Sequence, residues 1–283
     1  ELAGTRDELL TTRGWLLCRL ASVLRYSNPL QSVALLTDAH AIGRRSGNDE
    51  LAGMAIWMRG SMRFLAGENG LDDVIAGDAA LAQLDDAGPR RIQQQLGGRI
   101  PDPIGRRACL VWYHGDHGRP SDALELAEWV DARIGASPRP DIDRAISRAG
   151  RAFALSLLGR LDEARAAYQE ARRLLEAHAC TFLATTVTAF EFYLLDLPYF
   201  TTDLTELRRK HDAILTFASS VFDELLRIPP QAAVSGYLLI AGEWDALDGL
   251  SESIRTAPHS FFSWNDVIPA LAAHARLTGR SAI

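Results

Sequence analysis

Lysine is almost absent from this sequence: Lys210 is the only one among 283 residues. A P-loop requires a lysine directly after a glycine-rich turn. Lys210 instead follows two arginines, so this mode of nucleotide binding is excluded. A Schiff-base enzyme would have to use the same residue, which the surrounding pattern places on a solvated helix face. The chain also lacks the Gly-x-Ser-x-Gly, His-Glu-x-x-His and Cys-x-x-Cys motifs. We therefore predict that it is not an enzyme and carries no cofactor.

A concentration of positive charge is missing as well. The formal net charge is −6, with 30 lysine and arginine residues against 36 aspartate and glutamate residues. A nucleic-acid-binding surface normally shows a basic stripe. We therefore expect no direct contact between this segment and nucleic acid.

Cysteine is scarce, and no long apolar run is present. Cys18, Cys109 and Cys180 stand far apart in apolar helical patterns, which is typical of core residues in a reducing compartment. Residues 179–200 form the most apolar stretch, but two acids and a proline interrupt it, so it is a poor membrane span. No charged and then apolar leader opens the chain. We expect a soluble, cytoplasmic segment without membrane contact.

A pattern of two amphipathic helices joined by a glycine turn recurs along the chain. In residues 158–168 one amphipathic pattern ends, a glycine turns the chain, and a second amphipathic pattern begins. The turn glycines Gly118 and Gly159 lie 41 residues apart, and Gly242 follows 83 residues later, which is two units of similar length. Period-two alternation, the mark of a half-buried strand, is nowhere sustained. The pattern predicts an all-α, right-handed α-solenoid of about six helix pairs, with a unit length of about 40 residues.

The same register describes a single helical-repeat domain over residues 1–283, with an insertion at residues 86–101. Glycine and proline in that insertion predict a loop that contains at most one helical turn. The first residue is Glu1 rather than Met, and the last unit stops just past its turn, so we expect the chain to be part of a longer protein. The predicted units are residues 1–47, 48–85, 102–136, 140–177, 178–219, 220–257 and a partial unit at 258–283.

Units three and four resemble known helical repeats. Gly159, Ala164, Tyr168 and Ala171 match the turn glycine and the small–aromatic–small spacing of the tetratricopeptide helix pair, although this unit exceeds the usual length of about 34 residues. Units of about 40 residues with a Gly-Arg-Leu-Asp-Glu-Ala turn resemble the helical-repeat region of large bacterial ATP-dependent LuxR-type transcriptional regulators, of the maltose-regulon activator kind. This resemblance implies repeats between a nucleotide-binding module and a C-terminal helix-turn-helix, where they bind inducer or mediate self-association.

Aromatic and arginine side chains are the candidate binding residues. In helix-pair solenoids the first helices line the concave surface, and most of these residues fall on predicted first helices. Any single aromatic could instead pack between repeats. The arginines fit a groove better, because core packing does not account for them and two of them could jointly bind an anionic group. The predicted concave groove comprises Trp57, Arg59, Arg63, Trp112, Tyr113, Arg148, Arg151, Phe190 and Tyr193.

One close pair of histidines has an acid between its members. His114, Asp116 and His117 are residue types that bind Zn²⁺, given a fourth ligand. The three residues occupy a predicted turn, and no further ligand has a recognisable spacing. We interpret them as part of a solvated turn and predict no metal site.

These patterns together predict a non-catalytic sensing module of a bacterial transcriptional regulator. Its partner would be a protein, a peptide or a small-molecule effector, and it could also form homo-oligomers. Binding would change the curvature or the dimerisation of the solenoid. Two alternatives stay open: a stand-alone peptide-binding scaffold, and an accessory repeat array of a cyclase or kinase. A C-terminal helix-turn-helix in the full reading frame would favour the regulator, whereas a catalytic domain would favour the accessory array.

Overall fold

The protein is all-helical throughout the part of the chain that the structure describes. The structure is a computed structural model, and it describes residues 2–25, 27–66, 68–85, 87–97, 102–221, 231–256 and 261–279. No β-strand occurs in these ranges. Their α-helices are α1 (Leu2–Leu24), α2 (Pro29–Ser46), α3 (Asp49–Ala66), α4 (Leu71–Leu81), α5 (Gly88–Leu96), α6 (Pro103–Asp116), α7 (Pro120–Asp131), α8 (Pro140–Leu157), α9 (Leu161–Ala177), α10 (Thr181–Glu191), α11 (Leu204–Val221), α12 (Ser235–Ala241), α13 (Trp244–Thr256) and α14 (Phe261–Thr278). A short 3-10 helix (Ile134–Ala136) follows α7, and a π-helical segment (Phe192–Phe200) follows α10.

A side-chain cap followed by proline begins both α2 and α6. The Asn28 carboxamide oxygen accepts a hydrogen bond from the Gln31 N–H at the start of α2. The Asp102 carboxylate accepts from the N–H groups of Ile104 and Gly105 at the start of α6. In each case proline follows the cap, in the first helical turn, where a backbone N–H would have no intrahelical acceptor.

The glycines that set the predicted register end helices in one common way. Gly118, Gly159 and Gly242 have φ angles of 68°, 71° and 74°, a backbone region that favours glycine. After each glycine, the N–H of the next residue donates to the carbonyl five residues before it in the chain. This bond satisfies a carbonyl of the last helical turn, so the three glycines are helix-ending turns of the same type.

Most helices that are neighbours in sequence are also neighbours in space. Each of the first three helices packs on the next, α6 packs on α7 and α8, and α8 packs on α9. The contact between α6 and α8 joins alternate helices, as expected when one helical hairpin stacks on another. The last helix, α14, also contacts α3, so the chain curves back toward its second hairpin.

The α8–α9 hairpin has the core that its sequence predicts. Ala164 and Ala171 are fully buried on α9, where their small side chains allow close approach of the neighbouring helix. Tyr168 lies between them and is also fully buried. Phe153 of α8 belongs to the same hydrophobic cluster. The small–aromatic–small spacing therefore corresponds to one continuous packing surface.

The prediction of an all-α fold is confirmed, and so is the expected lack of strands within the described ranges. The finer assignment to a right-handed solenoid of tetratricopeptide-like units stays a prediction. Parts of two predicted segments, 220–257 and 258–283, lie outside the described residues, as do the ends of the predicted insertion at 86–101.

The described part of that insertion is a helix rather than a loop. Helix α5 packs against α1 and α3, and its Ile92 side chain is buried in the core that these helices share. The Arg19 guanidinium of α1 donates to the Gln95 carbonyl at 2.5 Å. Gly97 ends α5 with a φ angle of 66°. The insertion is thus fixed to the first two hairpins.

Replacing Gly150 with alanine should destabilise the protein by about 1–3 kcal/mol, although alanine favours helix by about 1 kcal/mol. A Cβ atom there would lie 2.6 Å from the backbone nitrogen of Trp112, so α6 and α8 would have to separate. Gly249→Ala is the matched control, because that helical position has no atom within 4 Å of an added Cβ. It should leave stability unchanged or raise it. Urea unfolding of both variants measures the difference, and equal stability gains would contradict the close contact.

Candidate functional site

A cavity of about 840 Å³ lies between α9, α10, the π-helical segment and α11. Residues on one face of each helix line it, at spacings of three and four along the chain. Its volume falls within the range of about 300–1,000 Å³ that is typical of small-molecule sites. The lining residues are Arg165, Gln169, Arg172, Glu176, Ala179, Thr181, Ala184, Thr185, Thr188, Glu191, Phe192, Asp196, Arg209, Lys210, Ala213, Ile214 and Phe217.

The π-helical segment interrupts regular helix at one end of this cavity. Pro198 lies inside it, and a proline cannot donate the backbone bond that a regular α-helix requires at that position. The Thr201 N–H closes the segment by donating to the Asp196 carbonyl, five residues earlier, at 3.0 Å. The wider turn places the Asp196 side chain among the cavity-lining residues. Such π-helical insertions are frequent at functional sites.

Two buried carboxylates connect the helices that line the cavity. Asp196 accepts hydrogen bonds from Arg165 of α9 at 2.8 Å and from Lys210 of α11 at 3.0 Å. Glu191 accepts from Arg172 of α9 at 2.8 Å. A carboxylate in such a location is stable only when it is paired, so these bonds compensate for burying the acids. They also hold α9 and α11 against the central α10 and π-helical segment.

The cations of this cluster are more exposed than the acids. The side chains of Arg165 and Arg172 are each 32% exposed and that of Lys210 is 28% exposed, whereas Asp196 and Glu191 are 10% and 8% exposed. The carboxylates therefore lie behind the cations when seen from solvent. The Arg165 guanidinium also lies over the Phe200 ring, 3.5 Å from its centroid, which restricts its orientation.

Burial raises the pKa of the Glu191 carboxyl. The nearby Arg172 guanidinium opposes this shift, and the Asp196 carboxylate adds to it. The direction shows that desolvation outweighs the ion pair at this position. Protonation of Glu191 would free Arg172 from its intramolecular partner.

The other part of the cavity is apolar. Ala184 and Ile214 are buried in its walls, and Phe192 is fully buried. Phe217, in contrast, is 43% exposed although it is a large aromatic residue. The cavity thus combines a cationic group of side chains with an apolar surface, which is the usual composition of a site that binds an organic molecule.

The predicted groove residues of the second unit make intramolecular contacts. Trp57 is buried in the core, and its indole Nε1 has no hydrogen-bond partner among the described residues. Arg59 binds both carboxylate oxygens of Asp73 at 2.8 Å. Arg63 donates to Glu68 at 3.0 Å and to Asp73 at 3.2 Å. The structure therefore gives both arginines a role in holding α3 against the start of α4.

Of the four predicted aromatic residues on α6, α10 and the π-helical segment, one is buried and three are half-buried. Trp112 is half-buried, and its ring centroid lies 5.4 Å from that of Phe190, which is buried. Tyr113 is half-buried on α6 and packs edge-on against Phe64 of α3, with centroids 5.0 Å apart. Tyr193 is half-buried in the π-helical segment. The first contact joins α6 to α10 and the second joins α6 to α3, and the participation of these aromatics in a concave groove stays a prediction.

The predicted arginine pair on α8 has two different environments. Arg148 forms salt bridges with Asp131 of α7 at 2.7 Å and with Glu170 of α9 at 2.8 Å. Arg151 is half-buried and forms no salt bridge in the described ranges, although its charge acts on Glu163. Arg148 therefore links three helices, and joint binding of an anion by the pair stays a prediction.

The histidine pair lies at the end of α6. His117 Nδ1 is 2.9 Å from the Tyr113 carbonyl oxygen, which belongs to the same helix. His114 is half-buried, and desolvation lowers its pKa. Throughout the described residues, no group of three or more histidine, cysteine, aspartate or glutamate side chains is arranged to hold a metal ion.

The cavity residues were not among those predicted to bind. Lys210 was expected on a solvated helix face; the structure places it half-buried, where its ammonium group binds the buried Asp196. The sequence did contain a signal in the two acids that interrupt its most apolar stretch. Acids in such a stretch are rarely buried unless paired, so Glu191 and Asp196 could have predicted cationic partners. Which cations would pair with them depends on the tertiary structure.

Comparison with protein-family models, curated proteins and solved structures finds no match to this chain. Within the helices that the structure describes, none combines the length and apolar character that a membrane span requires.

Replacing Glu191 with glutamine should make the variant progressively more stable relative to the parent as pH rises from the ordinary glutamate pKa of about 4 through the raised pKa of the folded state. The raised pKa means that the unfolded chain loses this proton before the folded one does. Ionisation therefore reduces the parent's stability over that interval. Denaturant unfolding at several pH values measures the trend. Glu163→Gln should show the opposite trend, because hydrogen bonds from Arg160 lower the pKa of Glu163. Parallel trends in the two variants would contradict the burial effect.

Replacing Arg148 with alanine should reduce the free energy of unfolding by about 1–2 kcal/mol, because two partly buried carboxylates lose their partner. Arg151→Ala, three residues away, should cost less, since Arg151 forms no salt bridge with a described residue whereas Arg148 forms two. Thermal melts compare the two variants. Equal losses would show that the contacts of Arg148 with α7 and α9 contribute nothing.

Proposed function

We propose that this chain is a non-catalytic sensing module of a bacterial LuxR-type transcriptional regulator, built as a right-handed solenoid of tetratricopeptide-like helix pairs. The observation that carries the proposal is the cavity between α9, α10 and α11, set in an array of hairpins whose neighbours pack in sequence order. Its size and mixed lining suit a small effector. The recurring glycine turns and the core around Tyr168 support the repeat assignment.

The cavity is placed where binding could change the shape of the array. Its walls belong to α9 and α11, and its floor belongs to α10 and the π-helical segment between them. A ligand that contacts both walls would favour one separation of α9 and α11 over others. In a solenoid, a small change between neighbouring units alters curvature along the array. This coupling would pass ligand binding to neighbouring domains.

The cavity favours a small effector over an extended peptide. Its volume suits a small molecule, and the ion pairs of Asp196 and Glu191 connect the helices that line it. The aromatics predicted to line a peptide groove include Trp57 and Phe190, both of which are buried in the core. Association of this chain with a second copy of itself also remains part of the proposal.

The flanks of the full reading frame test the regulator assignment. We expect a nucleotide-binding module before this segment and a helix-turn-helix after it. Deletion of the frame should then change the transcript levels of a limited set of genes, as measured by RNA sequencing. A cyclase or kinase domain in the same frame would contradict the regulator and favour an accessory array. A frame without a DNA-binding domain would favour a stand-alone scaffold.

A further inference from the structure

We propose that the α9–α11 cavity binds a small organic monocarboxylate, with its carboxylate on Arg165, Arg172 and Lys210 and its apolar body along Ile214 and Phe217. This inference rests on the proposed role of the cavity as a binding site and names the class of its ligand. It does not depend on whether the full protein regulates transcription.

The exposure of the charged side chains determines the sign of the ligand's charge. Three cations are each about one-third exposed, while the two carboxylates that they bind are at most 10% exposed. Around this cluster, a molecule therefore meets the N–H donors of the three cations before it meets the two carboxylates; the third lining acid, Glu176, is exposed and lies one turn beyond Arg172 on α9. An anionic head group would gain charge-assisted hydrogen bonds there, whereas a cation would be repelled.

The cations retain donors for a ligand. A guanidinium has five N–H donors. In the described structure Arg172 uses one nitrogen on Glu191, and Arg165 uses one on Asp196. Their unused donors belong to the same groups that line the cavity. A carboxylate can accept from two arginine nitrogens at once, which makes arginine suited to recognising it.

The total charge of the lining favours one negative charge on the ligand. Four of the lining residues are cations, and three are acids, which leaves an excess of one positive charge. The fourth cation, Arg209, precedes Lys210 and forms no salt bridge with any described residue. A monocarboxylate balances the excess, whereas a phosphate dianion would exceed it.

The apolar surface determines the rest of the ligand. Phe217 lies seven residues after Lys210 on α11, which is two helical turns or about 10 Å along the helix axis. Ile214 lies between them and also lines the cavity. Phe217 is 43% exposed, and covering its ring with an alkyl or aromatic group would remove apolar surface from water. The ligand is therefore amphipathic, with its head group and apolar body at different places along α11.

Calorimetric titration of the purified 283-residue chain with octanoate, octanamide and inorganic phosphate tests the proposal. Octanoate should bind at least about tenfold more tightly than the neutral amide, because only the anion uses the cations. Arg172→Gln should weaken octanoate binding about tenfold or more and leave octanamide binding unchanged. Glu191→Gln should strengthen octanoate binding, because it removes the carboxylate that competes for Arg172. Phe217→Ala should weaken the binding of both molecules.

Arg160→Gln is the matched control, since Arg160 precedes α9 and binds Glu163 outside the cavity. Its octanoate affinity should equal that of the parent. Far-ultraviolet circular dichroism establishes that each variant is folded. If Arg172→Gln is unfolded, Lys210→Gln replaces it with the same expected loss.

The single lysine supplies a second measurement that needs no variant. Octanoate should slow acetylation of Lys210 by an amine-reactive reagent, as followed by mass spectrometry of the peptide that contains it, while octanamide should protect it less.

Absence of octanoate binding, equal affinity for octanamide, or an Arg172→Gln variant with parental affinity would each overturn the proposal. Tighter binding of inorganic phosphate than of octanoate would overturn the carboxylate assignment. None of these results depends on the flanking domains, so the regulator assignment can fail separately.

Discussion

Close contact between helix backbones is the constraint on which the array depends. An added Cβ at Gly150 would lie 2.6 Å from the Trp112 nitrogen, and one at Gly77 would lie 2.6 Å from the Trp57 backbone. These positions bring α8 against α6 and α4 against α3, at distances that allow no side chain between them. Close packing of this kind fixes the relative positions of neighbouring helices, because interiors of native density resist small displacements. Each hairpin therefore provides a rigid surface for the next.

The cavity occurs where this regular packing is interrupted. Residues 181–200 begin as an α-helix and continue as a π-helical segment that contains Pro198, so their side chains do not follow one regular helical face. The chain places two acids there, and both require partners because they are buried. Those partners come from α9 and α11, which lie on either side. The irregular segment thus accounts both for the space and for the charges around it.

This arrangement has consequences for recognition. The ion pairs of Asp196 and Glu191 satisfy the buried acids, but they leave the partly exposed cations in contact with the cavity. At such a site the carboxylate of a ligand can replace an internal carboxylate as the partner of the same cation. Ligand binding would then alter the ion pairs that connect α9 and α11 to the segment between them. The predicted groove arginines differ in this respect. Arg59 and Arg148 have internal partners whose side chains are 12–37% exposed, and they connect adjacent helices rather than border the cavity.

The sequence by itself determined the helical class and much of the local structure. Glycines with positive φ end helices where the register predicts turns, and the Ala164–Tyr168–Ala171 spacing forms one packed face. These features depend on residues close together in the chain, so periodicity and turn chemistry are sufficient to predict them. The tertiary structure alone decided which cations meet the buried acids. Arg165 and Asp196 are 31 residues apart, and Lys210 reaches the same acid from a different helix. Pairing across three helices depends on how those helices pack, and no local spacing in the sequence encodes that geometry.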